Sequence, residues 1–177
     1  MELIDDFLAH SRRYGVVLDT NIYILYITGI VNSEMLGSGR TEKYTQTHFE
    51  IVRSIVDGAK TKGPIVTSHI VPEITHLLGV DKNRYGSSSN IFEDALLNSF
   101  KISREEYIPT AKLIRDNERL VRRFGVSDVS VAEIINDYAL LSDDNELVAY
   151  LQGNGKSAMT LDMLYSQEVR HRVKRSF

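Results

Sequence analysis

The chain has 177 residues, of which 42% are apolar and 25% are charged. This composition excludes a largely disordered chain and a collagen-like chain. There is no Cys, which excludes disulfides, Cys-ligated zinc, iron–sulfur clusters and thiol nucleophiles. With a net charge of −3, any surface for nucleic acid has to be a local patch.

The length predicts a single domain. At about 150 residues per domain, we expect one domain over residues 1–177, with 1–14 as an N-terminal helical extension and 165–177 as a basic C-terminal tail. The N-terminus is acidic where a secretory signal is basic, and the longest apolar stretch, 22–31, is about half the length of a membrane span. We therefore expect a cytoplasmic protein with no membrane segment.

The first half of the chain alternates strand-like and helix-like segments. Residues 15–18 form a β-branched run that ends in polar residues, which is typical of a strand in a parallel sheet. Apolar residues then recur at helical spacing over 22–30 and over 49–56. Residues 64–67 predict a second strand, and a helix with Pro72 in its first turn would end at Gly79. The polar residues 80–90 predict a loop within the fold.

The second half continues this alternation. We predict a helix over 103–123, in which Ser103 and Glu106 resemble a capping box. Residues 125–126 predict a very short strand or a turn before a helix capped by Ser127. Strands are predicted at 138–141 and 158–161, with a helix over 144–151 between them. The whole pattern predicts an α/β protein with a mainly parallel sheet of four to five strands, covered by helices on both faces.

Four acidic residues follow the predicted strands or lie in the first turn of the helices after them. They are Asp19, Glu73, Asp128 and Asp144. Parallel strands end at a common edge of the sheet, where functional sites gather. Converging carboxylates raise one another's pKa unless a cation is present, and oxygen ligands favour Mg²⁺ or Mn²⁺, which can activate water for phosphoryl displacement. Taken singly, each acid also fits a helix cap; the order of all four favours a metal site.

The segments around these acids resemble the four motifs of PIN-domain ribonucleases. The matching segments are residues 16–21, 70–74, 124–132 and 142–147. They follow the family's order within residues 15–162, and Ser142 stands where Thr is usual in the fourth motif. The resemblance implies a three-layer α/β/α sandwich and a Mg²⁺- or Mn²⁺-dependent endoribonuclease that hydrolyses RNA phosphodiester bonds.

The resemblance also implies roles for individual residues. The catalytic metal ligands would be Asp19, Glu73, Asp128 and Asp144, with Asp143 as a candidate fifth acid if Asp144 turns outward to cap a helix. The groups that orient these carboxylates would be Thr20, Asn21 and Ser142. Candidate RNA contacts are Lys82, Arg84, Arg119, Arg122 and Arg123. The basic tail, including Arg170 and Arg175, is a further candidate.

The partners implied by the resemblance are an RNA substrate, an antitoxin-type protein and a second copy in a homodimer. The chain would then be the toxin of a toxin–antitoxin pair. However, the N-terminal helix, the 80–100 region and the basic tail are long for the small toxin-like members. These segments argue against the toxin subgroup but not against the fold.

Several other interpretations stay open or are disfavoured. The chain is either a ribonuclease, a PIN-fold module that binds RNA or assembles without turnover, or another Mg²⁺-dependent phosphotransfer enzyme. The arginines of helix 103–123 also fit a solvent-exposed face. Residues 153–157 resemble the end of a P-loop, but position 150 is Tyr where that motif needs Gly. His69 and His76 lack the spacing of the zinc protease motif.

Overall fold

The computed structural model describes residues 2–80 and 89–165. Within them the chain forms a three-layer α/β/α sandwich around a five-stranded sheet, which confirms the predicted fold class. The strands are β1 (Val16–Leu18), β2 (Ile65–Thr67), β3 (Arg104–Glu106), β4 (Ala139–Ser142) and β5 (Ala158–Thr160). The helices are α1 (Glu2–Tyr14), α2 (Thr20–Val31), α3 (Gln46–Gly58), α4 (Ile70–Val80), α5 (Ser89–Ile102), α6 (Thr110–Phe124), α7 (Val126–Ile134), α8 (Asn145–Gly153) and α9 (Leu161–Tyr165). Short 3₁₀ turns lie at Ser33–Met35 and Gly39–Thr41.

The sheet places three strand ends side by side. Its order is β3-β2-β1-β4-β5, and every pair is parallel. β1 is central, with Val17 opposite Ile65 on one side and Leu140 on the other. Because the strands are parallel, the residues that follow β1, β2 and β4 share one edge of the sheet, which is called the carboxyl edge below.

Helix α2 carries apolar residues around most of its circumference, and most of them are buried. Ile22, Tyr23, Leu25 and Ile27 are fully buried, as expected of a helix enclosed by its neighbours. It packs on α3, α4 and α5. A methyl group at Gly29 would overlap the ring of Phe49, so this glycine permits the close approach of α2 to α3. Asp19 and Thr20 are thereby held at the start of a rigid element.

The prediction of a helix from Ser103 was wrong at its beginning. Residues 104–106 form the edge strand β3, paired with β2, and the helix begins only at Thr110. Ser103 does not form a capping box, because its hydroxyl donates to the carbonyl of Ser99 at 2.9 Å, at the end of α5. Glu106 instead accepts a hydrogen bond from the hydroxyl of Tyr138 at 2.6 Å. All three residues of β3 are charged, so the sequence contains no apolar pattern that predicts a strand there. Only the pairing with β2 defines β3 as a strand.

The connections differ from the predictions in smaller ways. α4 continues to Val80, one residue beyond the predicted end, and α5 occupies the last two residues of the predicted loop over 80–90. Between α6 and α7, Gly125 has a φ of +90°, and Val126 already belongs to α7, so this site is a turn and not a strand. The positive φ explains why a glycine stands there. Among the described helices, none combines the length and apolar content required to cross a membrane.

Candidate metal site at the carboxyl edge of the sheet

Asp19 is the most buried of the four acids and bridges two strands. It follows β1, and its backbone N–H donates to the carbonyl of Leu141 on β4 at 3.1 Å. Its Oδ1 accepts the N–H of Ile22 at 2.8 Å, which caps α2. Its Oδ2 accepts the hydroxyl of Ser142 and the N–H of Asp143 at 2.8 Å. Burial raises the pKa of Asp19 to about 6, although these three hydrogen bonds favour the ionised form.

Asp144 lies two residues beyond β4 and also caps a helix. Its Oδ1 accepts the N–H groups of Glu146 and Leu147 at 2.8 and 2.9 Å, at the start of α8. Its own N–H donates to the Ser142 hydroxyl at 3.0 Å. Ser142 therefore connects Asp19 with Asp144. The cap interpretation and the metal-site prediction are compatible, since the cap bonds engage one carboxylate oxygen.

Glu73 lies in the first turn of α4, after β2, and its side chain reaches α2. The hydroxyl of Thr20 donates to Glu73 Oε2 at 3.0 Å. Thr20 is buried, whereas Glu73 is exposed. Thr20 thus orients this carboxylate toward the end of β1, next to Asp19. Asn21, predicted to help orient the acids, is exposed in the first turn of α2.

Asp128 enters the site from α7, which is anchored to β2. The hydroxyl of Thr67 at the end of β2 lies 2.7 Å from the hydroxyl of Ser130, which itself donates to the carbonyl of Ser127 at 2.6 Å. The pKa of Asp128 is raised to about 6, first by burial and then by the negative charges of Asp19, Asp144 and Glu73. The three other predicted acids are thus within electrostatic range of Asp128.

The four acids are neighbours, but they are not arranged as a finished coordination site. Across residues 2–80 and 89–165, no three Asp, Glu or His side chains are grouped closely enough to hold a metal ion. Two of the carboxylates are engaged as caps, and a third is bound to Thr20. The four carboxylates come from four different parts of the fold, and the other three repel that of Asp128.

Asp143 is turned toward the loop that precedes α3. Its Oδ2 lies 2.7 Å from the ammonium of Lys43 and accepts the hydroxyl of Tyr44. The predicted condition for Asp143 as a fifth acid was that Asp144 caps a helix, which it does. Nevertheless, the Asp143 carboxylate is paired with a cation, and its backbone N–H is what contacts Asp19. Asp143 therefore differs from the four acids in being paired with a cation, and its negative charge is among the lesser causes that raise the pKa of Asp19.

The candidate RNA contacts are distributed over two parts of the chain. Lys82, Arg84 and the tail residues Arg170 and Arg175 lie outside the described residues. On α6, Arg119 is exposed, and Arg122 pairs with Glu118 at 2.6 Å. Arg123 donates through Nε to Glu146 at 2.8 Å and also through its terminal nitrogen. Arg123 is therefore joined to the helix that Asp144 caps.

Sequence reasoning missed four residues at this edge of the sheet. They are Lys43, Tyr44, Thr67 and Ser130. Thr67 and Ser130 are small polar residues at a strand end and within a helix start, and their pairing depends on tertiary contact. Lys43 and Tyr44 lie in a connecting segment that carries no motif. No pattern in the sequence singles out any of the four.

Two disfavoured motifs can also be located. Gly155 and Lys156, in the P-loop-like segment, belong to the turn between α8 and β5. His69 Nε2 lies 2.9 Å from the carbonyl oxygen of Ile108, while His76 is exposed on α4. These two histidines have separate surroundings.

The chain was compared with known proteins at three levels. No family model, no curated protein and no solved structure matched it. The described residues form a three-layer α/β/α fold in which Asp19, Glu73 and Asp144 lie within electrostatic range of Asp128 near the carboxyl edge of the parallel sheet.

Proposed function

We propose that this protein is a Mg²⁺- or Mn²⁺-dependent endoribonuclease that hydrolyses RNA phosphodiester bonds. The observation that supports this most directly is the raised pKa of Asp128, caused in part by Asp19, Asp144 and Glu73. Four acids separated in sequence share one small region, and their mutual repulsion is relieved when a divalent cation binds. The resemblance to PIN-domain ribonucleases gives the reaction and the substrate.

The donor set fits Mg²⁺ or Mn²⁺ in its chemistry. All four side chains offer carboxylate oxygens, and the sequence has no Cys that would favour a softer metal. As placed, the described acids do not form a group of three that holds an ion. Binding therefore includes side-chain rotation, for which exposed Glu73 and half-buried Asp128 have more freedom than Asp19.

Each residue has a distinct part in this proposal. Asp19 is fixed by bonds to Ser142 and Asp143 and would be the rigid ligand. Thr20 orients Glu73, and the Thr67–Ser130 contact sets the start of α7 that bears Asp128. A bound cation would supply a water nucleophile and stabilise the charge that develops on the transferred phosphoryl group.

Cleavage of a fluorophore-labelled single-stranded RNA tests this function. We expect cleavage with Mg²⁺ or Mn²⁺, loss of cleavage in EDTA, and a fall of about 100-fold or more in Asp19→Asn. Asp137→Asn is the matched control, because Asp137 is exposed and precedes β4 at the opposite edge of the sheet. Cleavage that survives EDTA, or that is equal in Asp19→Asn and the wild type, contradicts the proposal.

A second candidate function is an RNA-binding or assembly module of the same fold without turnover. The absence of a ready three-acid metal group among the described residues favours it. Such a module would bind the same RNA without cutting it and without a requirement for Mn²⁺. A gel-shift titration in EDTA, run beside the cleavage assay, separates the two candidates. A third, phosphotransfer to or from a phosphomonoester, is separated by including a phosphomonoester substrate.

The proposed binding partners depend on the proposed function and on the resemblance. RNA is the proposed substrate, and a homodimer and an antitoxin-type protein are proposals drawn from the resemblance. A toxin role in a toxin–antitoxin pair is likewise proposed on that basis alone. Size-exclusion chromatography with light scattering tests the homodimer directly, with an apparent mass of two chains as the expected result.

A further inference from the structure

Lys43 is a cation held in place beside the carboxylate cluster. It lies in the segment between α2 and α3, and its ammonium is 2.7 Å from Asp143 Oδ2 and 5.2 Å from the centre of the Tyr44 ring. Tyr44 is buried and donates its hydroxyl to the same carboxylate. The side chain of Lys43 nevertheless remains 58% exposed, whereas that of Asp143 is 12% exposed. Lys43 thus has a fixed ion-pair partner and a side chain that is largely exposed to solvent.

This cation is directly connected to the candidate metal site. The N–H of Asp143 donates to Asp19 Oδ2 at 2.8 Å, so one residue contacts both Asp19 and Lys43. The negative charge of Asp19 is also among the causes that raise the pKa of the Tyr44 hydroxyl, after burial and Asp143. Lys43 and Tyr44 therefore lie at the same edge of the sheet as the four acids.

A polyanion that approaches four carboxylates needs cations next to them. Among the described basic residues around this edge, Arg122 and Arg123 are paired with Glu118 and Glu146 on the helices. Lys43 differs from them because its partner Asp143 itself contacts Asp19. An ammonium has three donors, of which Asp143 takes one. Lys43 thus keeps donors available for a phosphate oxygen while its position is fixed.

We propose that Lys43 is a substrate-binding residue that contacts a backbone phosphate of single-stranded nucleic acid next to the phosphodiester at the four acids. Asp143 is the anchor of this cation and not a ligand of the metal. The inference rests on the proposed function. It also locates the substrate: the nucleic-acid backbone would lie next to the segment between α2 and α3.

The test uses the full chain with the variants Lys43→Ala and Lys43→Arg. The control is Lys62→Ala, which removes the same charge from an exposed residue before β2, at the opposite edge of the sheet. We expect Lys43→Ala to raise KM for labelled single-stranded RNA about tenfold with kcat little changed. Lys43→Arg restores most of the binding, and Lys62→Ala equals the wild type.

Two further measurements distinguish a phosphate contact from a structural role. The slope of log affinity against log salt should fall by about 0.7 in Lys43→Ala, as expected for one lost phosphate contact on a single strand. Calorimetric Mn²⁺ affinity should be unchanged in Lys43→Ala and in Asp143→Asn, a variant that keeps an oxygen for Tyr44. A loss of Mn²⁺ affinity in Asp143→Asn would overturn its assignment as the anchor.

The outcomes separate this inference from the proposed function. If the wild type cleaves RNA and Lys43→Ala matches Lys62→Ala in KM and salt slope, the inference is overturned and the function stands. If the wild type binds RNA without cleaving it and Lys43→Ala weakens that binding, Lys43 keeps its role and the ribonuclease function fails. A wild type that neither binds nor cleaves RNA overturns both.

Discussion

The hydroxyl of Ser142, the last residue of β4, donates a hydrogen bond to Oδ2 of Asp19, the residue that follows β1. The same hydroxyl accepts the N–H of Asp144 at 3.0 Å. Ser142 thus joins two adjacent strand ends and two of the four acids. Since the other oxygen of Asp19 caps α2, both oxygens of this carboxylate have fixed positions.

Replacing Ser142 by Ala should destabilise the protein and alter Asp19. The substitution removes one hydrogen bond from the buried Asp19 carboxylate and one from the half-buried N–H of Asp144, which costs about 1–3 kcal/mol of the free energy of unfolding, measured by urea denaturation. Because the Ser142 hydrogen bond lowers the pKa of Asp19, its loss should raise that pKa above about 6.

Ser157→Ala is the matched control for this prediction. The Ser157 hydroxyl is buried and has no hydrogen-bond partner within the described part of the chain, and it precedes β5 at the opposite edge. Its removal should change the free energy of unfolding by less than about 0.5 kcal/mol. Equal losses of unfolding free energy in Ser142→Ala and Ser157→Ala would contradict a stabilising role of the Ser142–Asp19 hydrogen bond.

Burial of the Asp128 carboxylate, together with repulsion from the neighbouring acids, should make Asp128→Asn more stable than the wild type in EDTA. The folded-state pKa of Asp128 is about 6, above its ordinary value of 3.8, so the folded protein retains a proton that the unfolded chain loses between these values. The ionised carboxylate therefore destabilises the fold above pH 6. Because Asp128 is only half-buried, solvent screens part of this effect, and we expect a gain of about 1 kcal/mol at pH 7.5 that disappears below about pH 4.

Thermal or urea unfolding across this pH range checks the sign. Asp137→Asn, an exposed substitution at the opposite edge, should stay within about 0.5 kcal/mol of the wild type at every pH. Destabilisation by Asp128→Asn at pH 7.5 would mean that the acids do not repel one another as described.

Binding of Mn²⁺ should weaken as the pH falls through 6. Asp19 and Asp128 both have pKa values of about 6 and must lose their protons to bind a cation. Below that pH, the logarithm of the affinity should therefore decline by up to about two per pH unit. Calorimetry at several pH values in buffers of different ionisation enthalpy measures both the affinity and the released protons. An affinity that is constant from pH 5 to 7 disagrees with this prediction.

Gly29 tests the packing that positions the start of α2. Gly29→Ala places a methyl group within the ring of Phe49, and the overpacking should cost about 1–3 kcal/mol of the free energy of unfolding. Gly153→Ala at the end of α8 meets no atom within 4 Å and should leave stability unchanged or raise it by up to about 1 kcal/mol. A stable Gly29→Ala would show that α2 and α3 are not packed this closely.

The apolar strands and the strand-end acids could be predicted because their signals are local. β1 and β4 are buried on both sides, and their residues, apart from Ser142 at the end of β4, form continuous apolar runs. β3 could not be predicted in this way, because its charged residues occupy an exposed edge and are strand only through their pairing with β2.

The candidate site was predictable to a similar degree. Acids at strand ends can be read from the sequence once the strands are known, and the resemblance added Ser142. By contrast, the contacts of Thr67 with Ser130 and of Lys43 with Asp143 join residues that are 63 and 100 positions apart. Only the folded chain brings such pairs together.

Calorimetric titration of Mn²⁺ at pH 7.5 tests most directly whether the four acids form a metal site. We predict saturable binding to the wild type, loss of that binding in Asp19→Asn and Asp128→Asn, and unchanged binding in Asp137→Asn. The absence of Mn²⁺ binding to the wild type, or equal binding to all four proteins, would contradict the central claim.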